Sequence, residues 1–96
     1  MKIPSRLKIK KGVTYEVVFI KDFPDNTVGE CRFDKKQIVL STDQSEKDLI
    51  KTFIHEVTHA ITYERKIKIS HKAVYQFENA LLYFFKENGL LAKTKK

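Results

Sequence analysis

The pentapeptide HEVTH at residues 55–59 combines two histidines four positions apart with a glutamate directly after the first. Positions i and i+4 lie on one face of an α-helix, so His55 and His59 could direct two imidazole nitrogens at a single Zn²⁺. Glu56 would lie about a hundred degrees around the helix, beside the metal, where its carboxylate can accept a proton from water. The pattern therefore predicts a zinc site, provided that these residues are helical.

The residues around HEVTH predict the helix that the motif needs. Ser45 and Asp48 have the spacing of a capping box, in which side chains satisfy unpaired N–H groups of the first turn. No glycine or proline occurs in residues 46–66, which we predict as helical. Two surface histidines of an ordinary amphipathic helix are the alternative, but the complete pattern favours zinc. Apolar residues recur at spacings of three and four, as in a helix with one buried face: Leu49, Ile50, Phe53, Ile54, Val57, Ala60 and Ile61.

A catalytic zinc site generally has three protein ligands and one open position, so a third ligand must come from elsewhere in the chain. Glu78 is a candidate because it lies on the apolar face of the second predicted helix, where an unpaired carboxylate is costly. His71 is another, but it lies two helical turns earlier, about 10 Å along the axis, so both cannot easily bind one ion. Glu64 follows His59 by five residues and points away from the two histidines. The residues favour Glu78 and leave His71 open.

The elements that would position these residues form an α+β pattern. Segments rich in β-branched and aromatic residues predict three strands, at residues 14–21, 28–33 and 37–41. Residues 34–36 would close a hairpin between the last two strands. A second helix is predicted at residues 73–88, where Asn88 and Gly89 form a C-terminal stop. We therefore expect a small antiparallel three-stranded sheet followed by two packed helices.

Length and charge indicate one domain, residues 1–96, with short basic N- and C-terminal tails. No segment approaches the roughly 20 apolar residues of a membrane span, so no membrane is expected as a partner. Eight of the 19 basic residues lie in residues 1–11 and 93–96, which contain no acids, whereas residues 12–92 are close to neutral. We interpret these ends as solvated tails, so nucleic acid is not an expected partner. The start lacks the apolar core of a secretory signal, which predicts a cytoplasmic protein.

The run HEVTHAIT, followed by Glu78 in FENAL, resembles the gluzincin clan of zinc metallopeptidases, of which thermolysin is the best known. Over residues 3–90 the chain resembles the minimal members of that clan, the minigluzincins, which have a short three-stranded sheet and two main helices. This resemblance implies a minimal zincin-like domain in which His55, His59 and Glu78 bind Zn²⁺ and Glu56 is the catalytic general base. The stretch SHKAVY at residues 70–75 is similar to SprT-like peptidases, whose third ligand is a histidine, so His71 remains the alternative.

These features predict a zinc endopeptidase in which Glu56 removes a proton from the attacking water. Three residues are candidates to assist the developing oxyanion: His71, Tyr63 and Tyr75. Resemblance to the clan implies a peptide or protein substrate that binds as an added antiparallel strand, with residues 28–33 or 37–41 as the exposed sheet edge. Resemblance to minigluzincins also implies a latent form, a zymogen, in which residues 1–11 or 90–96 cover the cleft.

A non-enzymatic zinc-stabilised binding module is the rival hypothesis. Zinc would then be structural, with four protein ligands, and the basic tails would bind nucleic acid or a protein. Glu56 argues against this hypothesis, because a structural site needs no base beside its first histidine. An acid–base site without metal is a third hypothesis.

Overall fold

The computed structural model describes residues 3–89, which form four strands and two helices. A single 3-10 turn, Pro24–Asn26, lies between the second and third strands. None of the helices in residues 3–89 is long and apolar enough to cross a membrane. The elements follow in the order β1 (Arg6–Lys10), β2 (Val13–Ile20), β3 (Gly29–Arg32), β4 (Gln37–Ser41), α1 (Glu46–Glu64) and α2 (His71–Glu87).

The strands form one mixed sheet in the order β1-β2-β4-β3. β1 pairs with β2 and β3 pairs with β4 in antiparallel fashion, whereas β2 and β4 run parallel. The predicted antiparallel three-stranded sheet is therefore wrong in its number of strands and in one strand direction. The predicted α+β order, strands followed by two helices, is the order observed.

The strand absent from the sequence-based prediction is β1, which lies within the basic residues 1–11 interpreted above as a solvated tail. In Arg6–Lys10, three cations alternate with Leu7 and Ile9, and Ile9 belongs to the hydrophobic core. Such alternation is the pattern of a half-buried strand, and the turn at Gly12, whose φ is +83°, returns the chain into β2. The charges of this segment lie on the exposed side of the strand.

The parallel pair follows from the connection between β2 and β3. Residues 21–28 are longer than the two to five residues of a usual hairpin loop, and they carry the chain past one strand position. β4 then returns between β2 and β3. Ile38, Val39 and Leu40 are all fully buried, as expected of a strand with neighbours on both sides. This uninterrupted apolar run was the available sequence signal for a central strand.

α1 packs one face on the sheet and begins where its cap predicts. The Ser45 Oγ accepts a hydrogen bond from the Asp48 N–H at 3.1 Å, which satisfies one of the free donors of the first turn. The helix ends at Glu64, two residues before the predicted end. The core between α1 and the sheet comprises Ile9, Tyr15, Val17, Ile38, Leu40, Phe53 and Ala60.

α2 begins at His71, two residues earlier than predicted, because the Ser70 hydroxyl caps it by accepting a hydrogen bond from the Ala73 N–H at 3.0 Å. The helix packs against α1 and buries only Val74 and Glu78 among its residues. Phe77 and Phe84 of this helix are half-exposed. The one buried carboxylate of α2 thus lies where the helix is most tightly packed.

Candidate metal centre

Three histidine side chains converge on one point between α1 and the start of α2. The Nε2 atom of His55 lies 3.1 Å from that of His59 and 3.2 Å from that of His71. A tetrahedral zinc site with Zn–N bonds of about 2.0–2.1 Å has ligand–ligand distances of about 3.3 Å. The two nitrogen pairs that include His55 thus have nearly the spacing that Zn²⁺ requires, and all three ligand atoms lie within 4.8 Å of one another.

Helix geometry and one short connection bring the histidines together. His55 and His59 are four residues apart on α1, on one face of the helix. Residues 65–70 then reverse the chain, with Lys66 in the left-handed region at φ 55°. The Ser70 cap makes His71 the first residue of α2, at the end of the helix that approaches α1. A longer connection or a later helix start would move His71 away from the pair.

Glu78 contacts the same histidine from the other side of its ring. Its side chain is 3% exposed, and Glu78 Oε1 lies 2.5 Å from His55 Nδ1. Among residues 3–89, the group of mutually close ligand atoms consists of the three histidines and does not include Glu78. His71 and Glu78, two turns apart on α2, therefore contact opposite nitrogens of His55.

Glu56 lies beside the histidines with its carboxyl group largely removed from water. Burial raises the pKa of Glu56 to about 7; His55 opposes this rise, and the carboxylates of Glu30 and Glu78 add to it. A carboxyl group with a pKa near 7 can both accept and return a proton at neutral pH. The geometry places a competent acid–base group next to the candidate metal ligands.

The electrostatics also suit metal binding by His59. Burial lowers the pKa of His59, the neighbouring His55 and His71 lower it further, and Glu78 opposes the change. A lowered pKa favours the neutral imidazole, which is the form that binds a metal ion. Protonation of His59 is therefore disfavoured at the point where a cation would be held.

A cleft of about 690 Å³ gives access to the histidines. Tyr75 lines it and is half-exposed, with its ring centroid 4.9 Å from those of both His55 and His71. Tyr63 does not line this cleft; it stacks on Phe33 with ring centroids 4.2 Å apart. Of the two tyrosines considered for oxyanion stabilisation, Tyr75 is the one that faces the site.

Glu64, the remaining candidate ligand, belongs to a different cluster. Its Oε2 accepts a hydrogen bond from the Tyr15 hydroxyl at 2.7 Å and lies 2.5 Å from Lys36 Nζ. These two hydrogen bonds lower the pKa of Glu64. Glu64 thus connects the end of α1 to the sheet, away from the three histidines.

The edge strand β3 forms one wall of the cleft. β4 is paired on both sides, so residues 37–41 cannot accept a further strand, whereas β3 is paired only with β4 among the described residues. A Cβ atom at Gly29 would overlap with the Thr52 Cγ2 methyl group and lie 3.3 Å from Glu56 Cγ and Oε2. Glycine at this position lets β3 run directly against the helix that carries the site.

Comparison with protein families gives one match. Residues 7–87 match the SprT-like family, a zinc-associated family with metallopeptidase-like activity. No curated protein and no solved structure matches the chain. The match supports the zinc metallopeptidase class and the similarity seen in SHKAVY, and it gives no specific support to the minigluzincins. The sequence leaves His71 as the alternative third ligand, and Ser70, the cap of α2, was the signal that could have placed His71 at the start of a helix.

Proposed function

The chain belongs to the SprT-like family, and from this premise we propose that it is a zinc-dependent peptidase with His55, His59 and His71 as metal ligands. The observation that carries this proposal is the convergence of three imidazole Nε2 atoms beside a buried carboxyl group, that of Glu56. In the proposed hydrolysis, Glu56 acts first as general base and then as general acid.

The donor set fits a catalytic zinc ion. Three neutral imidazoles are a known ligand set of catalytic zinc, and they leave a fourth position open. Zn²⁺ bound there supplies a Lewis acid that makes water more acidic and polarises the peptide carbonyl. A structural site would need a fourth protein ligand, and residues 3–89 bring only these three histidines within mutual reach. This favours an enzyme over the zinc-stabilised binding module.

Glu56 performs the proton transfers in the proposed reaction. It accepts a proton from the water whose oxygen attacks the carbonyl carbon. It then returns this proton to the amide nitrogen as the carbon–nitrogen bond breaks, so that the product leaves as an amine. Its pKa of about 7 allows both steps near neutral pH. Tyr75, which lines the cleft, is our candidate to donate a hydrogen bond from its hydroxyl to the developing oxyanion.

A peptide substrate would bind along the free edge of β3. An extended peptide can add a strand to an exposed sheet edge, with main-chain hydrogen bonds holding it in register. Val28 and Gly29 line the cleft at the beginning of this edge, next to Glu56. An added strand has chain on both sides of the scissile bond, which is the arrangement of an endopeptidase.

Latency through a chain terminus would involve the C-terminal segment. Residues 6–10 form β1 on the sheet edge opposite to β3, so they are committed to the fold. Residues 90–96, the other candidate, lie outside the described residues. We propose that any self-inhibition by a terminal segment comes from residues 90–96.

The test of the proposed function is zinc content and peptide cleavage by the wild type, Glu56→Gln and a matched control, Glu46→Gln, on the exposed N-terminal turn of α1. We expect stoichiometric zinc in all three proteins. Cleavage should fall by about 10²–10⁴ in Glu56→Gln, the usual contribution of a general base, and remain at the wild-type rate in Glu46→Gln. Cleavage that survives Glu56→Gln would refute this role for Glu56, and a wild type without zinc would refute the metal centre.

A further inference from the structure

We propose that Glu78 is a positioning residue that holds His55 in the tautomer able to bind metal, and that it is not itself a ligand. The inference rests on the proposed zinc site and assigns a task to the one buried carboxylate of α2. The Nδ1–H of His55 donates to Glu78 Oε1, which leaves the lone pair of His55 Nε2 directed at His59 and His71.

The contact is short and shielded from solvent. Glu78 Oε1 and His55 Nδ1 are 2.5 Å apart, and the two side chains are 3% and 13% exposed. At that distance two unprotonated acceptors would repel each other, so a proton lies between them. With Glu78 ionised, this proton is carried by His55 Nδ1 and the contact is a charge-assisted hydrogen bond. A buried carboxylate is costly without such a partner. In this proposal His55 is the partner that compensates the burial of Glu78, so the carboxylate needs no bond to a metal.

The imidazole ring separates Glu78 from the metal position. Nδ1 and Nε2 point away from opposite sides of the ring, and the Nε2 atom is the one that approaches the other two histidines. A carboxylate on Nδ1 consequently lies across the ring from an ion on Nε2. His71 and Glu78 lie two turns apart on α2, about 10 Å along the axis. Their side chains can therefore reach the two nitrogens of the His55 ring from the same helix.

Such an arrangement has a defined physical effect. A neutral imidazole alternates between two tautomers, and only the one with a proton on Nδ1 can use Nε2 as a ligand. A carboxylate on Nδ1 selects this tautomer, holds the plane of the ring and increases the basicity of Nε2. Removal of such an outer partner typically weakens metal binding by about 10–100-fold.

The experiment compares Glu78→Ala, Glu78→Gln, His71→Ala and a control, Glu87→Gln, which alters an exposed carboxylate on the same helix. Zinc affinity is measured by competition with a chelator, and the Co²⁺-substituted proteins are compared by visible absorption. We expect zinc affinity to fall about 10–100-fold in Glu78→Ala. It should recover in large part in Glu78→Gln, whose amide oxygen can accept the same hydrogen bond, and stay unchanged in Glu87→Gln. The Co²⁺ spectrum should keep its wild-type shape in both Glu78 variants and change in His71→Ala.

A second readout needs no variant that might fold poorly. In the metal-free wild type, ¹⁵N NMR of the imidazole nitrogens should show His55 protonated at Nδ1 and unprotonated at Nε2. Three results would overturn the proposal: the opposite tautomer in the wild type, unchanged zinc affinity in Glu78→Ala, or a Co²⁺ spectrum altered in Glu78→Ala as in His71→Ala. The last result would make Glu78 a ligand.

These measurements separate this proposal from the proposed function. None of them uses peptide cleavage, so an inactive protein that binds zinc would leave the role of Glu78 fully testable. Stoichiometric zinc with no dependence on Glu78 would remove only the positioning role. A wild type that binds neither zinc nor Co²⁺ would overturn both.

Discussion

Glu56 and Glu78 are two buried carboxylates on neighbouring helices, and their surroundings differ. Glu78 is 2% exposed and has His55 Nδ1 at 2.5 Å, so a hydrogen-bond donor compensates its burial. Glu56 is 8% exposed, and burial raises its pKa to about 7. A carboxyl group without a full partner destabilises the fold when ionised, but it can exchange a proton near neutral pH. Of these two carboxylates, the one less favourable for stability is the one proposed to do the chemistry.

The first prediction at this scale concerns the stability of the metal-free protein. Because the folded-state pKa of Glu56, about 7, exceeds its ordinary value of 4.5, the folded state binds the proton more tightly than the unfolded state. Burial of Glu56 therefore does not lower the free energy of unfolding below pH 4.5, where the carboxyl group is protonated in both states. The loss of stability grows between pH 4.5 and pH 7 and is constant above pH 7. We expect Glu56→Gln to raise the free energy of unfolding by about 3 kcal/mol at alkaline pH.

Urea denaturation of both proteins between pH 5 and 8 measures this difference. The gain should grow with pH and level off above pH 7. A gain that does not change with pH would show that the raised pKa is not its cause. Glu46→Gln, on the exposed first turn of α1, should show no such trend.

The second prediction concerns Tyr75, whose half-exposed ring lies at the rim of the cleft next to His55 and His71. Tyr75→Phe removes the hydroxyl and keeps the ring, so we expect kcat to fall by about 10-fold or more, with KM and zinc content nearly unchanged. Tyr83→Phe is the matched control, since Tyr83 lies on the same helix, is 68% exposed and does not line the cleft. An unchanged kcat in Tyr75→Phe would exclude a role for this hydroxyl in oxyanion stabilisation.

At the scale of elements, the site depends on α1 and on the two segments that contact it, the first half of α2 and β3. α1 supplies His55, Glu56 and His59; α2 supplies a third histidine and, two turns later, Glu78. β3 borders the cleft beside α1, and it can approach the helix closely because Gly29 has no side chain to meet Thr52. Its short length of four residues and its position at the sheet edge leave its outer side available to a substrate strand.

The close contact between β3 and α1 predicts a strong effect of a single methyl group at Gly29. In Gly29→Ala, the new Cβ would overlap with Thr52 Cγ2 and contact Glu56. We expect a loss of about 1–3 kcal/mol in the free energy of unfolding, the usual cost of overpacking, together with slower cleavage. Thermal and urea denaturation measure the first effect.

Thr52→Ser provides the matched control for this prediction, because it removes the methyl group that the new Cβ would meet and keeps the hydroxyl that donates to Gln44 Oε1. The double variant should therefore lose less stability than the sum of the two single variants. Strict additivity would show that the strand and helix do not press together at this point.

At the scale of the whole molecule, the two edge strands of the sheet have different surroundings. β1 closes the edge far from the site and contributes Ile9 to the core, whereas β3 borders the cleft. The Lys10 Nζ donates to the Glu64 carbonyl at 2.9 Å, and Glu64 in turn binds Tyr15 and Lys36. The basic N-terminal segment is thus part of the structure that supports α1.

Deletion of residues 1–11 should accordingly lower the melting temperature and should not increase cleavage, because it removes a strand and part of the core. The comparison is deletion of residues 90–96, which leaves every described element intact. Faster cleavage after the second deletion, with an unchanged melting temperature, would support latency through the C-terminal segment. A stable, more active protein after the first deletion would contradict the role assigned to β1.

Local patterns in the sequence determined the helix that carries HEVTH, its cap at Ser45, the hairpin between β3 and β4, and the pairing of His55 with His59 on one helix face, because spacing along a helix or strand depends on neighbouring residues alone. The tertiary structure decided the strand order, the role of residues 6–10 and the partners of His55. Each of these depends on where residues 21–28 and 65–70 carry the chain, which no local periodicity specifies. His71 and Glu78 could both be candidates in the sequence; only the packing of α2 on α1 shows that they contact opposite nitrogens of one ring.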